Sequence, residues 1–432
     1  MTRAAGRRLA ALLAGLAVAL PGAGGGASAR AVTAPASAPA REAVATWVRY
    51  PAAHVALDPV ATLGRAIFFD PSLSASGRQS CATCHDPAHA YAPADGRAVQ
   101  PGGAGMNEFG TRAVPSLRYL QFTPRFSRHL PQPDPDGVED EGPAGGFTRD
   151  GAAQTLHEQA LLPLLNPAEM ANADVAAVAA RLRRAAYAAP FRQAFGADIF
   201  DRPAAAVARA TEALEAFQTQ DPSFRPYTSK FDAAMSGNAR FTAQELRGYT
   251  LFNDAGKGNC AKCHVDVPGP GGRPAQFTDY GHVAVGVPRN AEIAANRDPR
   301  FFDLGLCGPV RKDLAAEPQF CGLFKTPTLR NSASRRVFFH NGRFHVLEDV
   351  LRFYSERDTD PARWYPRVGD KVVVFDDLPP RYRGNVDRVD QPFTRRRGDK
   401  PVFTDAEIAD LAAFLRTLDD GYSSESGGPA AR

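Results

Sequence analysis

Apolar residues recur with the period of an α-helix in several long stretches of the chain. The repeat is clear in 174–195, 204–219 and 404–418, where it predicts amphipathic helices. The last stretch opens on Thr404 and carries Glu407 three residues later, the pattern of a capping box at a helix start. Strand-like alternation is scarce, and Pro- and Gly-rich stretches separate the periodic ones. We therefore predict a mainly α fold with long irregular connecting loops.

The first residues have the composition of a secretory signal peptide. Basic residues precede an apolar run over 9–20, and Ala-Ser-Ala at 27–29 forms a cleavage site. That run is too short to span a bilayer and no later stretch is long enough, so we expect no membrane span. We expect 1–29 to be removed, 30–45 to be a flexible lead-in rich in Ala, Pro and Ser, and the mature protein to be periplasmic.

The overall composition excludes one class of partner. The 432 residues carry a formal net charge of +4, with 44% hydrophobic and 23% charged residues, values typical of a globular protein. A charge so close to neutral argues against nucleic acid as the partner. Of six cysteines, Cys307 and Cys321 lie in no motif. In an oxidising compartment we expect these two to form a disulfide.

The other four cysteines fall in two copies of Cys-x-x-Cys-His. This spacing suits covalent c-type haem, because the two thiols bond to the vinyl groups and the adjoining imidazole reaches the iron. A zinc site would need further Cys or His at short spacing, and a thioredoxin-like dithiol needs no histidine. The motifs predict two covalently bound c-type haems, attached and ligated by Cys81, Cys84, His85, Cys260, Cys263 and His264.

The segments around the two motifs also repeat. The segments 63–79 and 246–258 each run through a Gly and an aromatic run to an Asp before the cysteines. After the motifs, "VPSLRYL" (114–120) is echoed by "TPTLRNS" (326–332). A duplicated unit is the simplest explanation. We predict an N-terminal cytochrome c-like domain over 46–230, a C-terminal one over 231–420 and a disordered tail over 421–432.

The order of these motifs resembles the bacterial di-haem cytochrome c peroxidase and MauG family over essentially all of 60–420. The resemblance is carried by "LGRAIFFDPSLSASGRQSCATCHDP", "EQALLPLLNPAEMAN", "NCAKCHV", "FKTPTLRN" and "FFHNGRFHVLEDVLRFY". It implies two cytochrome c-like, mostly α domains with the haems near their interface. One haem is then the peroxide site and the other an electron relay.

In the resembling family a Gln and a Glu ten residues apart line the distal pocket of the first haem, with a Pro four residues after the Gln. Gln159, Pro163 and Glu169 match this arrangement. The resemblance implies that Glu169 is the acid/base that moves a proton between the peroxide oxygens, with Gln159 as its hydrogen-bonding companion. Gated peroxidases also supply a removable His after the first motif. Here only His89 stands in that stretch, four residues past the motif, so we expect an open first iron.

The second iron needs a different axial ligand from the usual methionine, because every Met precedes Cys260. The downstream side chains that remain are His282, His340, His345 and Tyr354. The helical spacing around Tyr354 indicates, on its own, a buried core tyrosine. In the resembling family, however, the Met falls at a fixed distance after "FH-x-G", and MauG has a Tyr there. Tyr354 follows His340 at that distance, so the resemblance implies His264 and Tyr354 as the axial pair.

Two positions depart from the family pattern. The Trp that the family places between its haems is Arg149 here, so electron transfer between the haems must use direct tunnelling or another aromatic. We expect Arg149 and His340 next to the haems, with haem-propionate binding as an alternative role for Arg149. The family's calcium uses an Asn where this chain has Ala113, and 335–337 also differs. With fewer hard ligands, the sequence argues against calcium.

Three functions compete at this point. The leading one is a periplasmic di-haem c-type oxidoreductase that uses hydrogen peroxide to form a high-valent di-haem state and oxidise a partner protein side chain, as in MauG/MbnH-like members. A conventional di-haem cytochrome c peroxidase would reduce hydrogen peroxide with electrons from a small cytochrome or cupredoxin, and the missing downstream Met argues against it. A non-catalytic electron-transfer cytochrome would have no use for Glu169 and Gln159.

Overall fold

Helices dominate the part of the chain that the computed structural model describes, which is residues 48, 50, 55–129, 142–423 and 428–429. In chain order the α-helices are α1 (Pro59–Phe68), α2 (Cys81–Cys84), α3 (Leu156–Leu165), α4 (Val175–Arg184), α5 (Ala188–Phe195), α6 (Pro203–Gln220), α7 (Lys230–Met235), α8 (Ala243–Phe252), α9 (Cys260–Cys263), α10 (Leu347–Glu356), α11 (Pro361–Trp364) and α12 (Asp405–Arg416). The prediction of a mainly α fold is confirmed.

The remaining regular structure is short. Four antiparallel two-stranded ladders pair β1 (Pro101–Gly102) with β2 (Glu108–Phe109), β3 (His282–Val283) with β4 (Phe324–Lys325), β5 (Arg367–Val368) with β6 (Lys371–Val372), and β7 (Tyr422–Ser423) with β8 (Gly428–Pro429). Single 3₁₀ segments lie at Pro71–Leu73, Pro87–His89, Ile199–Asp201, Pro222–Phe224, Pro270–Gly272, Ala294–Arg297, Pro318–Phe320 and Pro380–Asn385. Long irregular loops join these elements, as predicted.

The predicted signal peptide (1–29) and lead-in (30–45) lie outside the described residues. Within the described ranges, no helix is both long enough and apolar enough to cross a membrane.

Two of the three periodic stretches form helices where the sequence predicts them, as α6 and α12. The predicted capping box at the start of α12 is present. The Thr404 side chain accepts the backbone N–H of Glu407, and the Glu407 carboxylate accepts the backbone N–H of Thr404 at 3.0 Å. These two bonds satisfy N–H groups that a helix start otherwise leaves unpaired.

The third periodic stretch, 174–195, does not form a single helix, and that prediction is wrong. It divides into α4, which ends at Arg184, and α5, which begins at Ala188. Pro190 accounts for the break. Its nitrogen has no hydrogen to donate to the carbonyl four residues back, and its ring would clash with that carbonyl. The proline is tolerated in the first turn of α5, where the N–H groups have no partner within the helix.

Two helix pairs pack in the same way in the two halves of the chain. α1 packs against α6 and α8 against α12. In the first pair a Cβ on Gly64 would lie 1.8 Å from the Ala213 carbonyl oxygen, and in the second a Cβ on Gly248 would lie 2.0 Å from that of Asp410. Each glycine therefore lets two helix backbones approach more closely than a side chain would allow. The internal repeat inferred from the motifs extends to these helix contacts.

Separate hydrophobic cores form in the two halves. One cluster of buried apolar side chains lies within 63–224 and another within 231–418, and a third within 284–386 packs in the second half. The first two clusters divide at the predicted boundary, 230/231. The described residues from Val48 onward nevertheless belong to one compact unit. The division into two haem domains therefore stays a prediction.

Asp420 ties the end of the chain to both halves. Its carboxylate accepts the Tyr119 hydroxyl at 2.8 Å, Arg118 Nη1 at 3.0 Å and Asn331 Nδ2 at 2.7 Å. The next residue, Gly421, donates its N–H to Thr228 Oγ1 at 3.0 Å. A buried network thus holds Asp420, the residue before the predicted tail, and the disorder of 421–432 stays a prediction.

Gly248→Ala should lower the free energy of unfolding by about 1–3 kcal/mol, the usual cost of forcing an extra methyl group into a filled contact. Helix propensity alone would have the opposite sign and favour Ala by about 1 kcal/mol. Denaturant unfolding of the haem-loaded protein, followed by far-ultraviolet circular dichroism, measures the difference. Gly384→Ala is the matched control, since a Cβ there meets nothing within 4 Å. A stabilising Gly248→Ala would contradict the close approach of α8 and α12.

Candidate active site

The first Cys-x-x-Cys-His motif forms one helical turn, α2, with the histidine just after it. His85 Nδ1 lies 3.1 Å from the backbone oxygen of Tyr91. A carbonyl only accepts, so Nδ1 carries the hydrogen and Nε2 is left for a metal. Burial lowers the pKa of His85 to about 4. The ring is therefore neutral at physiological pH, as a metal ligand must be.

The second motif repeats this geometry. His264 Nδ1 lies 3.1 Å from the backbone oxygen of Phe277, and burial lowers the pKa of His264 to about 4. Both accepting carbonyls are held by the repeated segment that follows each motif. The N–H of Leu117 donates to Tyr91 at 3.1 Å, and the N–H of Leu329 donates to Phe277 at 3.3 Å. The two sites are therefore built from the same backbone hydrogen bonds.

The four motif cysteines are free thiols. Burial raises the pKa of Cys81 and of Cys260 to about 12, and it also raises the pKa of Cys84 and of Cys263. Two cysteines that form no disulfide, next to a neutral imidazole with Nε2 left for a metal, fit covalent attachment of a c-type haem at each motif. The remaining two cysteines, which the sequence predicts to be linked, are joined as the disulfide Cys307–Cys321.

The carboxyl of Glu169 lies on the side of the first motif. Its negative charge contributes to the raised pKa values of Cys81 and Cys84. Burial raises the pKa of Glu169 itself, while a 2.6 Å hydrogen bond from Asn166 Nδ2 to its Oε1 acts in the opposite direction. The β1–β2 hairpin fixes the backbone, because the N–H of Gly103 donates to the Glu169 carbonyl at 2.7 Å. A positioned carboxyl next to the haem motif can take up and return a proton.

Helix α3 brings the distal segment to this place. It carries Gln159 and contains Pro163, whose missing N–H leaves the carbonyl four residues back without its helical partner. The carbonyl of Pro163 accepts the N–H of Met170 at 3.1 Å, so the chain folds back directly after the helix. Within the described ranges, Glu169 bonds to Asn166 and not to Gln159. The role of Gln159 stays a prediction.

The histidine that follows the first motif is engaged elsewhere. His89 Nδ1 lies 2.8 Å from Asp86 Oδ2, and 38% of its side chain is exposed. His89 would have to leave this partner to reach an iron. The open face of the first iron stays a prediction.

Tyr354 of α10 lies beside the second motif. Its ring is stacked between Phe339, at 5.9 Å between centroids, and Phe393, at 5.4 Å. Burial raises the pKa of the Tyr354 hydroxyl, and the charges of Cys263 and Cys260 raise it further. None of the described residues forms a hydrogen bond with this hydroxyl. A hydroxyl that no described residue binds, on a half-buried tyrosine near the motif cysteines, fits a ligand whose negative charge a ferric ion would offset.

Two of the downstream histidines are bound away from this place. His282 Nε2 lies 3.0 Å from the Gly145 carbonyl oxygen. His345 Nε2 lies 3.1 Å from Glu292 Oε1, at the surface. Neither contact involves the second motif, so both histidines are poorer candidates than Tyr354.

The third downstream histidine, His340, belongs to a buried stack. Its ring lies flat on that of Phe324, with 3.7 Å between centroids, and its Nε2 is 3.4 Å from Asp377 Oδ2. The His340 carbonyl accepts the N–H of Ala113 at 2.7 Å. His340 therefore fixes the backbone of the segment that follows the first motif, and its predicted place next to a haem stays a prediction.

Two half-buried arginines meet at this same segment. Arg149 Nε donates to the Ala113 carbonyl at 2.7 Å, and Arg335 Nη2 donates to the Val114 carbonyl at 2.8 Å. Burial lowers the pKa of Arg149 to about 9 and that of Arg335 to about 10, and no carboxylate among the described residues pairs with either. Arg335 also lowers the pKa of His85, so it faces the first motif. Two unpaired cations here fit the propionates of haem.

The same two arginines bear on calcium. The carbonyls of Ala113 and Val114, at the place where the resemblance puts calcium, already accept guanidinium N–H groups. In the part of the chain that the structure describes, no three His, Cys, Asp or Glu side chains cluster as metal ligands. The expectation against calcium stays a prediction.

Sequence reasoning missed Asn166 and Arg335 as parts of the site. Asn166 stands three residues before Glu169, within a segment already singled out, so its hydrogen bond was within reach of local spacing. Arg335 lies 250 residues after the first motif in the chain, and no local signal places it there.

Comparison with known proteins agrees with this geometry. A family described as "Di-haem cytochrome c peroxidase" matches residues 58–240. The chain is 39% identical over 306 residues to the methylamine utilization protein MauG of Paracoccus denitrificans (strain Pd 1222), covering 69% of this chain and 75% of that protein. It is 28% identical over 295 residues to the cytochrome c551 peroxidase of Nitrosomonas europaea, covering 68% and 71%.

A solved structure extends the likeness over most of the molecule. The diheme peroxidase BthA from Burkholderia thailandensis E264 is 40% identical, with a TM-score of 0.76 over 89% of this chain and 93% of that one. A MauG-like protein associated with microbial copper homeostasis is 26% identical, with a TM-score of 0.57. Two haem motifs in a repeated fold, a relative at 39% identity and this match in structure lead to one conclusion: the chain belongs to the di-haem cytochrome c peroxidase family, as an oxidoreductase with two c-type haems.

Proposed function

We propose that this protein uses hydrogen peroxide to oxidise a side chain of a partner protein in the periplasm. The observation that carries the proposal is the position of Tyr354, stacked between two aromatic rings beside Cys260 and Cys263 with a hydroxyl that no described residue binds. Family membership alone does not choose this function, because its relatives include both MauG and cytochrome c peroxidases.

The reaction consumes two electrons and two protons for each peroxide, giving two molecules of water. When bound, the first haem supplies an iron that can bind peroxide and be oxidised by it. In our proposal the Glu169 carboxylate takes the proton from one peroxide oxygen and returns it to the other, so that the second oxygen leaves as water. The hydrogen bond from Asn166, at 2.6 Å, aims the carboxyl and stabilises its charged form. Gln159 would line the same face.

Tyr354 determines what becomes of the second oxidising equivalent. An anionic oxygen ligand stabilises oxidised iron, whereas methionine raises the reduction potential. A site with Tyr354 opposite His264 would therefore accept electrons from small cytochromes poorly and hold an oxidising equivalent well. The two electrons that balance the peroxide would then come from the partner's side chain. A conventional peroxidase would instead draw them from a small cytochrome or cupredoxin.

A direct test incubates the haem-loaded protein with peroxide and a periplasmic extract, then searches extract proteins by mass spectrometry for oxidised Trp and Tyr. We expect modification of few sites, absent without peroxide and absent with Glu169→Gln. Rapid, sustained oxidation of reduced small cytochrome c, with no protein side chain modified above the level of that variant, would instead establish the conventional peroxidase.

Glu169→Gln should slow the reaction with peroxide by about 100-fold or more, since a positioned acid/base contributes on this scale. Stopped-flow absorbance after peroxide addition measures the rate, and both haems should remain attached. Glu158→Gln, on the exposed side of α3, is the control and should react at the wild-type rate. An unchanged rate in Glu169→Gln would remove this carboxyl from the reaction.

Asn166→Ala should move the acidic limb of the pH–rate profile to higher pH. The amide hydrogen bond lowers the pKa of Glu169, so its loss raises that pKa. A carboxylate base is lost as the pH falls through its pKa, and that loss would begin at higher pH in the variant. The measurement is the rate of peroxide reaction between pH 4 and 9. A limb that stays in place, or moves to lower pH, would mean that another group titrates.

Tyr354→Phe should raise the potential of the second haem and abolish a phenolate ligand signature in its spectra, while peroxide still reacts at the first haem. Redox titration and resonance Raman spectroscopy measure both effects. Tyr365→Phe is the matched control, because that buried hydroxyl donates to the Gly286 carbonyl at 2.6 Å and its loss should cost only about 1 kcal/mol of stability. Identical spectra in wild type and Tyr354→Phe would leave Tyr354 a core residue.

A further inference from the structure

The segment 388–400, called here the basic loop, lies next to Tyr354 and carries a dense positive charge. Its cations are Arg388, Arg395, Arg396, Arg397 and Lys400. The side chains of Arg396, Arg397 and Lys400 are exposed. Val389 in the same loop is 84% exposed, which gives the surface an apolar point among its charges.

Contacts with α10 hold the basic loop in place. Phe393 of the loop stacks on the ring of Tyr354, with 5.4 Å between centroids and 25° between ring planes. Further along, the N–H of Gly398 donates to the carbonyl of Thr359, just beyond α10, at 3.0 Å. Phe393 therefore contacts the proposed ligand of the second iron, and the exposed cations follow Phe393 closely in the chain.

A second set of contacts joins the loop to the haem motif itself. Lys262, between the two motif cysteines, forms an ion pair with Asp390 of the loop at 3.0 Å. The charge of Asp390 also contributes to the raised pKa of Cys263. The loop is thus in contact with both Tyr354 and the second Cys-x-x-Cys-His motif.

The outward charge of the loop is not neutralised within the described ranges. No ion pair there involves the side chains of Arg396, Arg397 or Lys400, and the Asp399 carboxylate accepts the backbone N–H of Arg396 at 2.8 Å. One exposed arginine of the first half, Arg209, does form an ion pair, with Glu212 at 2.6 Å. With a net charge of only +4 for the whole chain, this is a local positive field and not a property of the whole surface.

Two other roles are compatible with these charges. They would suit an ordinary solvated surface, and cations near the carboxyl end of α10 would offset the negative end of its helix dipole. Neither role requires the loop to be tied both to Tyr354 and to the haem motif. Exposed cations without ion-pair partners produce the kind of local positive field that steers and orients an oppositely charged protein.

We propose that the basic loop is the docking surface for a protein partner with an acidic face. Docking there would bring the partner's oxidisable group within reach of Phe393 and Tyr354. The inference rests on the proposed function, since it names the chemistry of the partner that supplies electrons. In the test below, each reduced probe molecule gives up one electron, and two of them balance one peroxide with two protons.

The experiment uses two reduced probe proteins of opposite charge, an acidic plastocyanin and a basic mitochondrial cytochrome c. Peroxide-dependent oxidation of each is followed with the haem-loaded wild type at low and at high ionic strength. Both oxidations should be slow, because the proposed second site accepts electrons from small donors poorly, but we expect plastocyanin to be oxidised faster than cytochrome c. The plastocyanin rate should fall by about tenfold as salt screens the attraction. Equal rates, or a preference for the basic probe, would overturn the proposal.

A triple charge reversal, Arg396→Glu with Arg397→Glu and Lys400→Glu, tests the loop itself. We expect kcat/KM for plastocyanin to fall by about tenfold or more, while peroxide consumption with a small-molecule reductant stays unchanged. The control reverses Arg65, Arg184 and Arg209, three exposed arginines of the first half, and should leave the plastocyanin rate near that of wild type. If kcat/KM for plastocyanin falls equally in both triple variants, the effect depends only on the net charge of the protein, and a local docking surface is refuted.

Two further measurements separate the alternatives. If peroxide is not consumed at all, the proposed function fails. The docking surface is then still tested by biolayer interferometry, which measures the binding of plastocyanin to the haem-loaded wild type and to the triple reversal. If peroxide is consumed but wild type and triple reversal bind plastocyanin equally, the docking proposal alone fails. Sedimentation with phosphatidylglycerol vesicles tests a membrane as the occupant. Vesicle binding that is lost in the triple reversal would reassign the loop to a lipid surface and overturn the proposal.

Discussion

Both sites depend on the hydrogen bond between a half-buried imidazole and a backbone carbonyl. His85 and His264 each end a single helical turn, and each directs Nδ1 at a carbonyl oxygen 3.1 Å away. With that nitrogen occupied, only Nε2 can face an iron. The carbonyl belongs in both cases to a segment anchored by the repeated "PSL" or "PTL" sequence. Each half of the chain contains one such motif and one helix pair, α1 with α6 at Gly64 and α8 with α12 at Gly248.

The two halves differ in what they bring toward the motif. In the first half, the chain turns back after α3 ends at Leu165, and this turn places the Glu169 carboxyl on the side of the cysteines. In the second half, α10 places the Tyr354 phenol among the rings of Phe339 and Phe393. One side chain is suited to move protons, and the other to carry negative charge next to oxidised iron. The same scaffold thus supports two different kinds of chemistry.

Local spacing accounts for what the sequence predicts correctly. The haem motifs, the helices α6 and α12 and the Thr404 capping box each depend on residues a few positions apart. The apolar periodicity of 174–195 does not indicate the division into α4 and α5, because the backbone effect of Pro190 leaves no mark on the apolar pattern. The contact of Phe393 with Tyr354 joins residues far apart in the chain, as do the bonds of Arg149 and Arg335 to consecutive carbonyls. Such contacts exist only once the chain has folded, so no local pattern indicates them.

The central claim is that the oxidising equivalents of one peroxide are divided between an open first site and a tyrosine-ligated second site. Its most direct test adds one equivalent of hydrogen peroxide to the diferric protein, without reductant, and follows Mössbauer and optical spectra of a sample enriched in Mössbauer-active iron. Our account predicts that the signals of both irons change together, each by one oxidising equivalent. A change confined to one iron, with the other retaining its resting spectrum, would contradict it.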